Sequence, residues 1–153
     1  MVNKKSIFET MLKFFEEDGW RFSKLADKDV LRMSFSGKNI SMRCFAEADE
    51  VHQQFLFYSL LEIQAPEEKH QEIAEFITRA NYGLKIGNFE MDYYDGEIRY
   101  KTSVAVEGGE LTTEMLKAQV YANVRTVDKF GPGIMAVLYG DVPPARAIAR
   151  IGG

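Results

Sequence analysis

The alternation of apolar and polar positions divides the chain into helical and extended segments. Near the N-terminus, Ser6 and Glu9 have the spacing of a capping box, and Gly19 suits the position after a helix end. Between them the apolar residues recur at helical spacing, at Phe8, Met11, Leu12 and Phe15. This pattern predicts an amphipathic helix that ends near Asp18.

From Trp20 to Ile63 the apolar positions recur at every second residue, as they do in β-strands. Two runs alternate in this way, and the turn residues 37–39 separate them. Their apolar members are Leu31, Met33 and Phe35 in the first run and Ile40, Met42 and Cys44 in the second. The pattern predicts two strands joined by a short turn.

The segment Gln54–Leu61 differs from these runs because both of its faces are apolar. The two faces carry Phe55, Phe57 and Leu61 on one side and Leu56, Tyr58 and Leu60 on the other. An antiparallel strand with one face in water normally alternates apolar and polar residues. We therefore expect cover on both sides, from the protein's own helices or from another subunit. A symmetric homodimer and a protein-interaction surface at Leu56, Tyr58 and Leu60 are the corresponding predictions.

A second helix is predicted after Pro66, which suits a first helical turn. Its buried stripe comprises Ile73, Phe76, Ile77 and Ala80, and Gly83 is placed to end it. Asp95-Gly96 then matches the preferred pair of a two-residue β-hairpin turn. That turn predicts a register in which Tyr93 lies opposite Ile98, with Asp92 opposite Arg99 and Glu90 opposite Lys101.

A third helix is predicted after Thr112 or Thr113, which can cap it. Its apolar stripe continues across Gly131-Pro132-Gly133 and comprises Leu116, Val120, Val124, Val127, Ile134 and Leu138. The spacing from Gly131 to Ala136 resembles a dinucleotide fingerprint, but such a fingerprint opens a helix after a strand. Here a helix precedes the glycines, and Pro132 lacks the N–H that a phosphate would use. We predict no nucleotide binding and interpret the stretch as a kink or break in the helix.

Pro144 is placed to start a short last turn. We expect Ala145, Ile148 and Ile151 to point inward from it.

Composition and charge narrow the class of protein. A chain of 153 residues, 46% hydrophobic and 27% charged, predicts a single domain over residues 1–153. The formal net charge of −4, without a cluster of lysine and arginine, argues against nucleic acid as a partner. No apolar run approaches the roughly 20 residues of a membrane span, so no membrane partner is predicted. Cys44 is the only cysteine, which fits a cytoplasmic location.

Candidate chemistry is sparse. Nucleophilic catalysis needs a base beside the nucleophile, but Cys44 lies in a strand pattern and the histidines are scattered. Asp49 and Glu50 beside His52 could hold a cation weakly, although a solvated loop is the preferred interpretation. We predict no catalytic, cofactor-binding or metal-binding residues. Asn123 interrupts the stripe of the third helix, either as a buried amide bonded to backbone or as a ligand contact.

The C-terminal half resembles the bacterial YbjN family. The resemblance runs from about Ala74 to the end and rests on "RANYGLKIGNFEMDYYDGEIRYKTS", "YANVRTVDKFGPGIMAVLYG" and "PPARAIARI". The positions that match the family pattern are Asn81, Tyr82, Gly83, Asp95, Gly96, Asn123, Asp128, Pro132 and Gly133. The patterns above predict elements in the order α-β(3-4)-α-β-β-α, and the resemblance implies an α+β fold similar to type III secretion chaperones, with an antiparallel sheet against helices. It also implies a dimer, and it brings no catalytic residues.

Two functions remain open from the sequence. The favoured one is a non-enzymatic protein-binding module, chaperone-like or regulatory, because the Gln54–Leu61 segment has surplus apolar surface without chemistry nearby. The alternative is a small-ligand-binding protein or enzyme with a pocket near Asn123, Tyr82 and Tyr121.

Overall fold

The computed structural model describes residues 5–152 as one antiparallel sheet with helices packed on one of its faces. The elements are α1 (Ile7–Glu17), β1 (Phe22–Lys24), β2 (Val30–Ser36), β3 (Ser41–Asp49), β4 (Gln54–Gln64), a 3₁₀ turn (Glu67–Lys69), α2 (His70–Asn81), β5 (Asn88–Met91), β6 (Glu97–Ala105), α3 (Thr113–Gly140) and α4 (Pro144–Ile151). The predicted α+β class and order are confirmed, and α4 extends them. Within this part of the chain no helix is long and apolar enough to cross a membrane.

The strands follow the order β1-β2-β3-β4-β6-β5, so β4 lies inside the sheet between β3 and β6. The predicted turn at residues 37–39 joins β2 to β3 and places Ser36 opposite Ser41. The N–H of Gly37 closes this turn by donating to the carbonyl of Ile40 at 2.8 Å.

The hydrophobic core lies between the sheet and the helices. Phe55, Phe57 and Leu61 of β4 are buried there, and the ring of Phe57 stacks on Phe15 of α1 at 6.1 Å. The predicted stripe of α3 is also buried, at Leu116, Val120, Val124, Val127, Ile134 and Leu138. The opposite face of β4 carries Leu56, Tyr58 and Leu60, which are half-buried. The structure therefore decides which face of the doubly apolar strand is core.

Helix α1 begins as predicted. The Ser6 hydroxyl accepts from the N–H of Glu9 at 3.0 Å, and Gly19 follows the helix with a φ of +79°. A second cap comes from the β3–β4 loop, where the carboxylate of Glu50 accepts from the N–H groups of Ile7 (3.1 Å) and Phe8 (2.9 Å). These N–H groups have no partner within the helix, so Glu50 ties the helix start to the sheet.

The buried stripe of α1 is rotated from the predicted one. Ile7 and Phe14 are buried, whereas Phe8 and Leu12 are half-buried. The tertiary position of the helix over the sheet decides which of its apolar residues are buried. Neighbouring residues point about 100° apart, so a rotation of the helix about its axis changes which of them face the core.

The predicted register of the β5–β6 hairpin is wrong by two residues. Ile98 lies opposite Met91, not Tyr93, and Arg99 lies opposite Glu90. The loop is four residues long, because the N–H of Asp92 donates to the carbonyl of Glu97 at 2.9 Å. The Asp92 carboxylate accepts from the N–H of Tyr94 at 2.8 Å, which favours this longer turn. A slip of two residues keeps the same faces, so Ile98 remains in the core.

The two C-terminal predictions also need correction. Helix α3 is one continuous helix of 28 residues with Pro132 inside it, so of the two interpretations given for this stretch, a kink or a break, the break is wrong. The last turn is an eight-residue helix, α4, in which Ala147 is buried and Ala145 is exposed. Contacts of α4 with α2 and α3 orient it in this way.

Candidate functional site

The helix-free side of the sheet forms a surface with an apolar centre, which we call the outer sheet face. Its apolar residues come from three adjacent strands and are Val30, Phe45, Leu56, Tyr58 and Leu60. Register places Phe45 directly opposite Tyr58, and Leu56 and Leu60 flank Tyr58 along the same strand. All five are half-buried, so they are partly shielded by neighbouring side chains and partly open to solvent.

Charged side chains surround this apolar centre. The Arg99 guanidinium lies 4.5 Å from the centre of the Tyr58 ring, and its Nε is 2.8 Å from the Glu90 carboxylate. Burial raises the pKa of the Tyr58 hydroxyl, and the nearby carboxylate of Glu47 raises it further. A cavity of about 280 Å³ lies against this centre and is lined also by Leu25. An apolar centre with a charged rim is the usual composition of a protein–protein interface.

The structure does not bring Asn123, Tyr82 and Tyr121 together in one pocket. The Asn123 side chain is 0% exposed, whereas Tyr82 is 92% exposed at the end of α2. Tyr121 lies at the surface, where its hydroxyl donates to the Asp18 carboxylate. The pocket on which the alternative function depended is therefore not formed by these residues.

Asn123 is a structural amide. Its Nδ2 lies 2.9 Å from the carbonyl of Phe57, 3.2 Å from that of Tyr100 and 3.3 Å from the Thr102 hydroxyl. These contacts fasten α3 to β4 and β6. The interpretation as a buried amide bonded to backbone is confirmed.

The reactive side chains singled out in the sequence, Cys44 and Asp49, form contacts within the fold. Burial raises the pKa of the Cys44 thiol to about 12, although Ser59 at 3.3 Å opposes the shift. The thiolate is the nucleophilic form, so Cys44 is unsuited to catalysis at neutral pH. Asp49 accepts from the backbone N–H and the ring of His52, and these bonds lower the pKa of Asp49. Residues 5–152 contain no group of three or more acidic, cysteine and histidine side chains placed to hold a metal ion.

The segment around Gly131-Pro132-Gly133 joins α3 to the β2–β3 turn. Pro132 has no N–H, so the carbonyl of Asp128 lacks its helical donor. The Asn39 side chain supplies a replacement by donating to that carbonyl at 3.0 Å. The Asp128 carboxylate in turn accepts from three backbone N–H groups of the turn: Lys38 at 3.0 Å, Asn39 at 2.8 Å and Ile40 at 3.1 Å.

The glycines allow this close approach. A Cβ on Gly37 would lie 2.1 Å from Asp128 Oδ1, and a Cβ on Gly131 would lie 2.3 Å from Ile40 Cδ1. The motif is therefore explained by packing of α3 on the turn. A signal was present in the sequence, because an acid four residues before a helical proline can offer both its carboxylate and its free carbonyl to a glycine turn.

Replacing Asp128 by asparagine tests this junction. Burial alone would raise the pKa of Asp128, but the N–H groups of Asn39, Ile40 and Lys38 together lower it below the ordinary 3.8. A depressed pKa stabilises the folded state above the unfolded pKa, and that stabilisation is lost as pH falls through the folded pKa. Urea unfolding should show the variant less stable by about 1 kcal/mol at pH 7, a figure reduced for solvent screening at this partly exposed site.

The difference between wild type and the Asp128 variant should narrow below about pH 4, because the wild-type carboxyl then becomes protonated. A constant difference from pH 7 to pH 3 would contradict the proposed role of the carboxylate charge.

The described residues define an α+β protein with one six-stranded antiparallel sheet and helices on one of its faces. The YbjN family, described as "Putative bacterial sensory transduction regulator", matches residues 8–135. The chain belongs to this family. No individually curated protein sequence matches it.

Solved structures with this fold include YbjN from E. coli, at 12% identity and a TM-score of 0.60, covering 79% of this chain and 85% of that one. The HopA1–SchA chaperone–effector complex contains a chain with 15% identity and a TM-score of 0.53, covering 82% and 94%. The ExsC–ExsE complex contains one with 11% identity and a TM-score of 0.51, covering 78% and 86%. At these identities the likeness shows the fold, which confirms the predicted chaperone-like architecture.

Proposed function

We propose that the chain is a non-enzymatic protein-binding module, chaperone-like or regulatory, that acts in the cytoplasm. The observation that carries the proposal is the outer sheet face, an apolar surface on which no helix of residues 5–152 packs. Two of the similar folds are seen in complexes with protein partners, which supports binding of a polypeptide here. The single buried, unpaired cysteine supports the proposed location.

We propose further that the outer sheet face first binds a second copy of the chain, giving a symmetric homodimer. Two-fold homodimers are the commonest oligomers, and their interfaces must be self-complementary. The rim of this face carries both signs of charge, because Arg43 and Glu47 flank Phe45 along β3 and Arg32 lies opposite Phe45 on β2. Two copies related by a two-fold axis can therefore pair the arginines of one with the glutamate of the other.

The double substitution Leu56→Lys and Leu60→Lys tests this interface. Covering the exposed part of each half-buried leucine contributes roughly 1 kcal/mol, so loss of both should raise the dimer dissociation constant about thirtyfold or more. Light scattering at micromolar concentration should show a dimer for the wild type and a monomer for the variant, with unchanged circular dichroism.

A matched control replaces Val51 and Tyr139, two exposed apolar residues outside this face, by lysine. The control should remain dimeric. A wild-type monomer mass would refute the homodimer, and dimeric behaviour of the leucine variant would place the interface elsewhere.

A further inference from the structure

A groove runs between α3, α4 and the β2–β3 turn, in the helical layer of the molecule. Its volume is about 750 Å³, within the range of roughly 300–1,000 Å³ that ligand sites occupy. Small or aliphatic residues form its apolar surface: Pro132, Gly133, Ala136, Ala147 and Ile151. The Gly131-Pro132-Gly133 segment thus has a second consequence, because it leaves a shallow surface on α3 without large side chains.

Four cations line this groove: Lys38 from the turn, Arg125 and Lys129 from α3, and Arg150 from α4. All four are exposed, and within residues 5–152 none of them forms an ion pair. The groove is therefore a positive site on a chain whose formal net charge is −4. Such a local concentration of one sign of charge attracts an oppositely charged partner.

The carboxylate in the groove reduces this positive charge but does not cancel it, because four cations face one acid in the described lining. Asp128 is the sole acidic residue that residues 5–152 contribute to its lining, and both of its carboxylate oxygens accept from backbone N–H groups of the turn. The Arg125 Cζ lies 5.3 Å from the Tyr121 ring centre, and the Lys129 Nζ lies 5.7 Å from that of Phe130. These contacts do not neutralise the two cations, because an aromatic ring carries no net charge.

We propose that this cationic groove binds an acidic segment of a protein partner that also carries apolar side chains. The cations come from three elements and stand around the groove, so they suit several carboxylates spaced along a peptide. A compact phosphate fits less well, because among the described lining residues no buried polar donor converges on the apolar surface. Single-stranded nucleic acid usually requires aromatic stacking platforms, and residues 5–152 contribute no aromatic residue to the lining.

The proposal rests on the proposed function only in taking a polypeptide as the ligand. The outer sheet face lies on the other side of the sheet from the helical layer that contains the groove. Loss of binding at one surface can therefore be measured while the other is intact.

The test uses fluorescence anisotropy with a short labelled peptide that alternates glutamate with leucine, and a second peptide in which glutamine replaces each glutamate. The groove variant is Lys129→Gln with Arg150→Gln. The matched control is Lys117→Gln with Arg146→Gln, which removes the same charge from the same two helices, outside the groove lining. The glutamate peptide should bind saturably, and the groove variant should weaken it about fivefold or more while the control does not.

Several results would overturn the proposal. Equal weakening in the groove variant and the control would show a general charge effect, and equal binding of the glutamine peptide would show that acidity is not recognised. Binding of inorganic phosphate or a single-stranded oligonucleotide, without binding of the glutamate peptide, would assign the groove to a different ligand. The variant Leu56→Lys with Leu60→Lys should bind the peptide like the wild type, so failure of the dimer interface is distinguished from failure of the groove.

Discussion

Replacing Gly96 by alanine is expected to lower the free energy of unfolding by about 3 kcal/mol or more. Gly96 has a φ of +79°, and a Cβ there would lie 2.0 Å from the carbonyl oxygen of Ala65. That oxygen belongs to the backbone, so it cannot rotate away as a side chain could. The carbonyl of Gly96 also accepts from the N–H of Ala65 at 2.9 Å, which holds the two segments together. The backbone strain and the loss of this hydrogen bond both lower the stability of the alanine variant.

Gly108 offers a matched control for the backbone strain. Its φ is +80°, but no atom lies within 4 Å of the position that a Cβ would take. Gly108→Ala should therefore cost only about 1 kcal/mol, the cost of the positive φ. Urea unfolding of both variants separates the two contributions, and equal losses would show that the contact with Ala65 does not restrict the hairpin loop.

Replacing Asn123 by aspartate is expected to lower the free energy of unfolding strongly, although the two side chains have nearly the same size. The substitution puts a carboxylate oxygen among two carbonyls and a hydroxyl that now accept from Nδ2. The other side-chain oxygen, Oδ1, receives no hydrogen bond within residues 5–152. An unpaired buried charge of this kind costs about 3 kcal/mol or more at pH 7.

The loss should depend on pH with a definite sign. The folded state will favour the protonated acid, which can donate one hydrogen bond, so its folded pKa is raised above the unfolded value of about 3.9. The variant therefore loses stability as pH rises above the unfolded pKa, by up to about 1.4 kcal/mol per pH unit until the folded pKa is reached.

Urea unfolding at pH 4 and pH 7, each relative to wild type, measures the Asn123→Asp effect. Asn88→Asp is the control, because Asn88 is half-buried on the edge strand opposite Lys101 and an aspartate there can remain ionised. The control should show no growing loss at high pH. A pH-independent loss for Asn123→Asp would mean that water or a rearrangement relieves the buried charge.

Local chemistry in the sequence was sufficient to predict most of the helices and strands. The Ser6 cap, the turn at residues 37–39 and the stripe of α3 appear in the structure as predicted, because each depends on residues close together in the chain. The family and its fold could also be predicted, from motifs whose spacing is local. For Asn123 the sequence left two interpretations open, and the structure confirms the buried amide bonded to backbone.

Only the tertiary structure decided features that depend on residues distant in sequence. The hairpin register was wrong because Asp92, Gly96 and the distant Ala65 together stabilise a four-residue loop that Asp95-Gly96 alone does not reveal. Helix α3 passes through Pro132 unbroken because Asn39, far away in the chain, supplies a donor for the freed carbonyl.

The outer sheet face and the cationic groove likewise appear only when the chain is folded. The pattern of β4 showed that both faces are apolar, but which face met the helices depended on where α1 and α3 packed. The groove cations lie on a turn and two helices, so their spacing along the chain carries no signal of their proximity. Local sequence determined the elements, whereas long-range packing determined which of their surfaces remain free to bind a partner.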